Sequence, residues 1–148
     1  MNVISEDGHE LPEEPARRYD KGERRYKHVG RCQLPEIEFF PGNPRMWVGK
    51  CPSNLSVEDQ TRLLNEAVPG SNGDRELAFV KKLYAVHQGA IYEAQTTDRG
   101  MSYHGYPYRG KLARNLIHEL RKRAVEKACE NDFDLWVKRY IEVNGKWA

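Results

Sequence analysis

The spacing of apolar residues changes period twice along this chain. Val57, Leu63, Leu64 and Ala67 fall at helical spacing behind Ser56, with Asp59 three residues on from the serine. A serine followed by an acid at that distance is an N-terminal capping pair, so a helix is predicted over 57–68, ended by Pro69-Gly70. The period then shifts to that of strands. Three are predicted, over 77–87, 90–97 and 101–106. Gln88-Gly89 suits a two-residue hairpin turn, and Asp98-Arg99-Gly100 a three-residue turn with glycine in the left-handed position. The helical period then returns. Leu112, Leu116, Leu120, Ala124 and Ala128 recur every four residues, widened by Ala113 and Ile117, and predict the longest helix over 111–130. Asn131-Asp132 is read as its break. A final helix over 133–141 carries Trp136, Val137 and Tyr140.

Upstream, 33–40 and 45–50 read as short strands separated by Pro41-Gly42-Asn43-Pro44. The fold class is therefore α+β: short N-terminal strands and a helix, a three-stranded antiparallel meander (about 77–106), a long amphipathic helix (about 111–130) and a short C-terminal helix. Residues 1–16, rich in Glu and Pro, are expected to form a mobile acidic arm, and 17–148 one domain. The basic run 17–31 interleaves Tyr19 and Tyr26. Its acids Asp20 and Glu23 favour a solvated arm over a phosphate-gripping one.

The turns imply a register. The first pairs His87 with Ala90 and Ala85 with Tyr92. The second pairs Thr97 with Met101, Ala94 with His104 and Tyr92 with Tyr106. Alternation then puts Leu83, Ala85, His87, Tyr92, Ala94, His104 and Tyr106 on one face. Tyr84, Val86, Ile91, Glu93, Met101 and Tyr103 take the other.

Composition narrows the class. At 148 residues, a chain buries about two thirds of its unfolded surface. With 39% hydrophobic and 31% charged residues it is polar without being compositionally disordered. No apolar run approaches the roughly 20 residues of a membrane span, and the acidic start lacks a leader's basic and apolar regions. A cytoplasmic protein with no membrane partner is expected. The three cysteines, Cys32, Cys51 and Cys129, argue against a disulfide framework. His28, Cys32 and Cys51 lack a fourth zinc ligand, so no metal or cofactor is expected.

Charge is unevenly placed. Residues 1–108 hold 14 basic and 16 acidic side chains, whereas 109–139 hold 9 basic and 5 acidic. The C-terminal excess points to an anionic partner. Helical spacing sets Arg114, His118 and Lys122 in one row, with Lys111 and Arg121 alongside. Just ahead, residues 91–111 concentrate Tyr92, Tyr103, Tyr106, Tyr108, His104 and Arg109. Arg109 and Lys111 flank Gly110 where the long helix is expected to begin, a place suited to an anion.

Three functions suit these residues. In the first, Arg109, Lys111, Arg114, His118, Arg121 and Lys122 hold a nucleic acid, RNA above all, without catalysis. In the second, His104 is the acid or base of a metal-independent ribonuclease, Arg109 holds the phosphate and Tyr106 assists. In the third, the tyrosine-rich surface binds a protein, as an inhibitor or accessory factor would. A helix followed by a meander with His, Tyr and Arg is reminiscent of small bacterial ribonuclease toxins, in architecture alone. The phosphate-loop, dinucleotide, H-E-x-x-H and G-x-S-x-G signatures are all missing.

Overall fold

A computed structural model describes residues 18–19, 33–70 and 79–144. The elements run β1 (Arg18–Tyr19), β2 (Glu36–Phe40), β3 (Asn43–Lys50), α1 (Val57–Glu66), β4 (Val68–Pro69), β5 (Lys82–His87), β6 (Ala90–Gln95), β7 (Ser102–Pro107), β8 (Gly110–Ala113), α2 (Arg114–Glu126), α3 (Glu130–Tyr140) and β9 (Ile141–Asn144). The class is α+β, as the pattern predicts. The acidic arm over 1–16 lies outside the described residues, as does 17–31 except for Arg18 and Tyr19, and so do His28 and Cys32. No described helix is long and apolar enough to cross a membrane.

Strands β5, β6 and β7 form the expected antiparallel meander. They lie within a five-stranded sheet of order β1-β7-β6-β5-β4, in which β1 runs parallel to β7. The first turn is as predicted. Gln88 and Gly89 both take positive φ, 51° and 80°, as a twist-compatible two-residue hairpin turn requires. His87 pairs with Ala90 and Ala85 with Tyr92.

The second turn departs from expectation by one residue. Gln95 pairs with His104, Ala94 with Gly105, Glu93 with Tyr106 and Tyr92 with Pro107. Local hydrogen bonds draw residues 96–101 out of the ladder. Thr96 Oγ1 accepts from Gly100 N, and Asp98 accepts from both the backbone N–H and the hydroxyl of Ser102. A slip of one residue exchanges the faces of a strand. His104 and Tyr106 therefore join Tyr84, Val86, Ile91 and Glu93, while Tyr103 joins Leu83, Ala85 and Ala94. The expected grouping of Tyr92 with His104 and Tyr106 does not form.

Each sheet face buries its own cluster. Toward α1, Leu83, Ala85, Ala94 and Tyr103 meet Leu63, Leu64 and Ala67. The Ser56–Asp59 capping box starts this helix, which ends at Glu66 rather than Val68. On the other face, Tyr84, Val86 and Ile91 meet Leu120 and Ala124 of α2, and Phe133 and Trp136 of α3.

The C-terminal part differs from the helix predicted over 111–130. Residues 110–113 are strand β8, paired in parallel with β9. Leu112 thus contributes to the core from a strand, while Leu116, Leu120 and Ala124 keep the helical stripe. The break falls earlier than Asn131-Asp132. Ala128 takes φ 57°, a left-handed conformation that ends a helix, and Asn131 and Asp132 lie within the first turn of α3. Strands β2 and β3 form an antiparallel hairpin around Pro41-Gly42, in which Phe39 pairs with Trp47. This hairpin docks on β7 through Gly49, where a Cβ would stand 2.0 Å from the Pro107 carbonyl oxygen.

Candidate functional site

The register places one acid at the centre of the aromatic residues. Glu93 is only 2% exposed. Its Oε2 accepts from the Tyr84 hydroxyl at 2.8 Å, and its Oε1 accepts from the Tyr106 hydroxyl at 2.7 Å and from Gln95 Nε2 at 2.8 Å. Gln95 Nε2 also reaches the Tyr106 oxygen at 2.5 Å. Burial, and then the negative charge of Glu93, push the phenols of Tyr84, Tyr106 and Tyr108 above their usual range. Both caged tyrosines are therefore donors that keep their protons at neutral pH.

Aromatic rings extend this cage to the hairpin. His104 is half-buried with its ring 6.3 Å from that of Tyr106. Trp47 lies 6.4 Å from Tyr106 and edge-on to Tyr108 at 6.1 Å. Tyr108 in turn meets Tyr84 at 5.8 Å. Arg109 sits 5.1 Å above the Phe39 ring, a cation–π contact. His104 and Tyr106 are thus adjacent, whereas Arg109 stands over the hairpin's Phe39 ring.

The basic residues occupy a different place. Lys111 is exposed on β8, opposite Glu142 of β9. The start of α2 is three residues further on than expected, so Arg109 and Lys111 do not flank its N-terminus, where Ala113 holds the N-cap position without a side-chain cap. Arg114, His118 and Arg121 line one open groove of about 400 Å³ together with Ile117 and Val143. Arg121 is held there by a two-pronged pair with Asp134, Nε to Oδ1 and Nη2 to Oδ2, both at 3.0 Å. That pair raises the arginine above its usual range and lowers the acid. Lys122 lies 3.6 Å from Glu119. Arg114, which also lines this groove, is exposed and has no ion-pair partner among the described residues.

Two further cations of the same helix and its cap turn inward. Arg123 Nη1 donates to the Glu66 carbonyl oxygen at 3.1 Å. Lys127 Nζ bonds the Glu66 carboxylate and donates to the Val86 carbonyl oxygen at 2.7 Å. Part of the positive excess in 109–139 is thus structural. Cys51 is buried and its thiol is pushed up to about 12 by burial, so it is protonated and inert as a nucleophile. Among the described residues no group of three or more His, Cys, Asp or Glu converges as a metal site would require.

Sequence reasoning missed Glu93 and Gln95 as partners of Tyr106. The first hairpin does set Glu93 opposite Tyr84, and that was the available signal. The third member, Tyr106, depends on the second turn. The chain matches no protein-family model, no curated protein and no solved structure. Its function must therefore be argued from these sites.

Proposed function

We propose that this is a small cytoplasmic nucleic-acid-associated protein, RNA-facing and non-catalytic, which engages its partner with the basic side of α2. The observation that carries this reading is the convergence of Arg114, His118 and Arg121 on one open groove, with Lys111 and Lys122 exposed nearby. Cations placed along a helix neutralise successive phosphates and release counterions. The ribonuclease reading has weaker support. Tyr106 donates to Glu93 and holds its proton tightly, so it makes a poor acid or base at neutral pH. A buried acid behind His104 and Tyr106 also disfavours a phosphate there.

Salt-dependent binding tests the proposal. Affinity for an oligoribonucleotide is expected to fall linearly with salt on logarithmic axes. Replacing Arg114, Arg121 and Lys122 together by Gln is expected to flatten that slope. Salt-independent behaviour, or no binding to any single or double strand, would sink it.

A protein-binding role has its own observation. Phe39, Phe40 and Met46 on the β2–β3 hairpin are 40%, 40% and 49% exposed. Co-purification of a specific protein after nuclease treatment, lost in Phe40→Ser, would favour that role.

A further inference from the structure

The groove beside α2 has a composition that helix charge alone does not require. Its floor is apolar, formed by Ile117 from the helix and Val143 from β9, and Val143 is 45% exposed. Arg114, His118 and Arg121 complete its lining; all three are exposed, and side chains of this kind lay an apolar body along a surface while the charged end stays in water. The parallel β8–β9 pair brings Val143 opposite Leu112, next to the start of α2. Asp134 pins Arg121 at one end, which orders that side chain in advance.

A duplex keeps its base faces inside the stack and presents phosphates outward. A cationic rim is useful to it, but an apolar floor is not. An unpaired base offers a flat apolar face and carries its phosphate alongside. From Arg114 to Arg121 is seven residues, about 10 Å along the helix axis. That length spans about two or three nucleotides at the roughly 3.4 Å spacing of a stacked strand.

We infer that this groove takes an unpaired nucleobase of a single strand, seated on Ile117 and Val143, with the flanking phosphates held by Arg114, His118 and Arg121. The inference rests on the nucleic-acid reading above and adds strandedness to it. Selectivity then comes from the apolar floor, and salt sensitivity from the rim.

Three ligands separate the two contributions for the full chain: a single-stranded oligoribonucleotide, the same sequence as a duplex, and an abasic strand of equal length. Fluorescence anisotropy over a salt series reads each affinity. Burying one base face on Ile117 and Val143 removes roughly 50 Å² of apolar surface from water, so the base-bearing single strand is expected to bind about tenfold more tightly than the abasic strand, and more tightly than the duplex. Val143→Asn, at an exposed position, is expected to weaken single-strand binding about fivefold without changing the salt slope. Arg114→Gln is expected to reduce the slope by about 0.7. Equal affinity for base-bearing and abasic strands, or a duplex bound as tightly as the single strand, overturns the inference and leaves the nucleic-acid reading standing. Failure of all three ligands to bind overturns both. The abasic strand probes the wild-type protein, so the result does not depend on any variant folding.

Discussion

Glu93 shows how a single side chain can organise a surface. It accepts three hydrogen bonds on the sheet face, and the Tyr84 and Tyr106 hydroxyls would lose their acceptor without it. An unsatisfied buried donor costs about 1–3 kcal/mol. Glu93→Gln puts an amide donor against donors already present, so it is expected to lower stability by about 1–3 kcal/mol. Tyr106→Phe removes one donor and leaves Tyr84 and Gln95 to serve the acid, so its cost is expected to be nearer 1 kcal/mol. Urea unfolding of the two variants measures the order. A larger loss for Tyr106→Phe would mean that the phenol, and not the acid, is the hub. That Tyr84 and Glu93 share a face was legible in the sequence, because it follows from the two-residue turn expected at Gln88-Gly89. The place of Tyr106 was not. The side-chain bonds of Thr96 and Asp98 that reset the next turn leave no periodic trace.

At the scale of elements, the β2–β3 hairpin is attached to the meander through a close backbone approach. Gly49 leaves no room for a side chain beneath the Pro107 carbonyl. Because the obstacle is backbone, it cannot rotate away. Gly49→Ala is expected to lift the hairpin and to cost about 1–3 kcal/mol or more. Trp47 packs on Tyr106 and Tyr108 from this hairpin, so its fluorescence should shift to longer wavelength in the folded variant. An unchanged emission maximum with unchanged stability would show that the hairpin docks by other contacts. Helix α1 was legible to within two residues, since a capping box acts locally. The start of α2 was not. Leu112 satisfies both a helical stripe and an inward strand position, and only its partner strand β9 decides between them.

Across the whole molecule, charges from both helical layers meet at one edge of the sheet. His87 ends β5. Burial lowers its pKa most, Lys127 beyond α2 lowers it next, and Arg62 lowers it further, while Asp59 and Glu66 oppose them. A histidine depressed in the folded state favours its neutral form there. Its contribution to stability is complete above the usual 6.5 and is lost as pH falls through the lower folded value. Stability is therefore expected to decline as pH falls below 6.5, and His87→Gln should remove that part of the decline. Urea midpoints measured from pH 7.5 down to pH 5 test this, and parallel curves for the two proteins would refute it. Lys127, which also bonds Glu66 and the Val86 carbonyl, links α1, the sheet edge and the end of α2 at the same place.

Whatever local physics can specify was readable along the chain. That includes the α+β class, the capped first helix, the Gln88-Gly89 hairpin and the basic character of the helix after the meander. Each rests on neighbours within a few residues, through caps, turns and periodicity. Only the closed layers settle which face His104 and Tyr106 occupy, that residues 110–113 are a strand, and which cations are anchored by partners within the fold. Arg121 with Asp134, Arg123 with Glu66 and Lys127 with Val86 all join residues more than ten positions apart. Such contacts depend on how the layers close on one another, and no spacing along the chain records that.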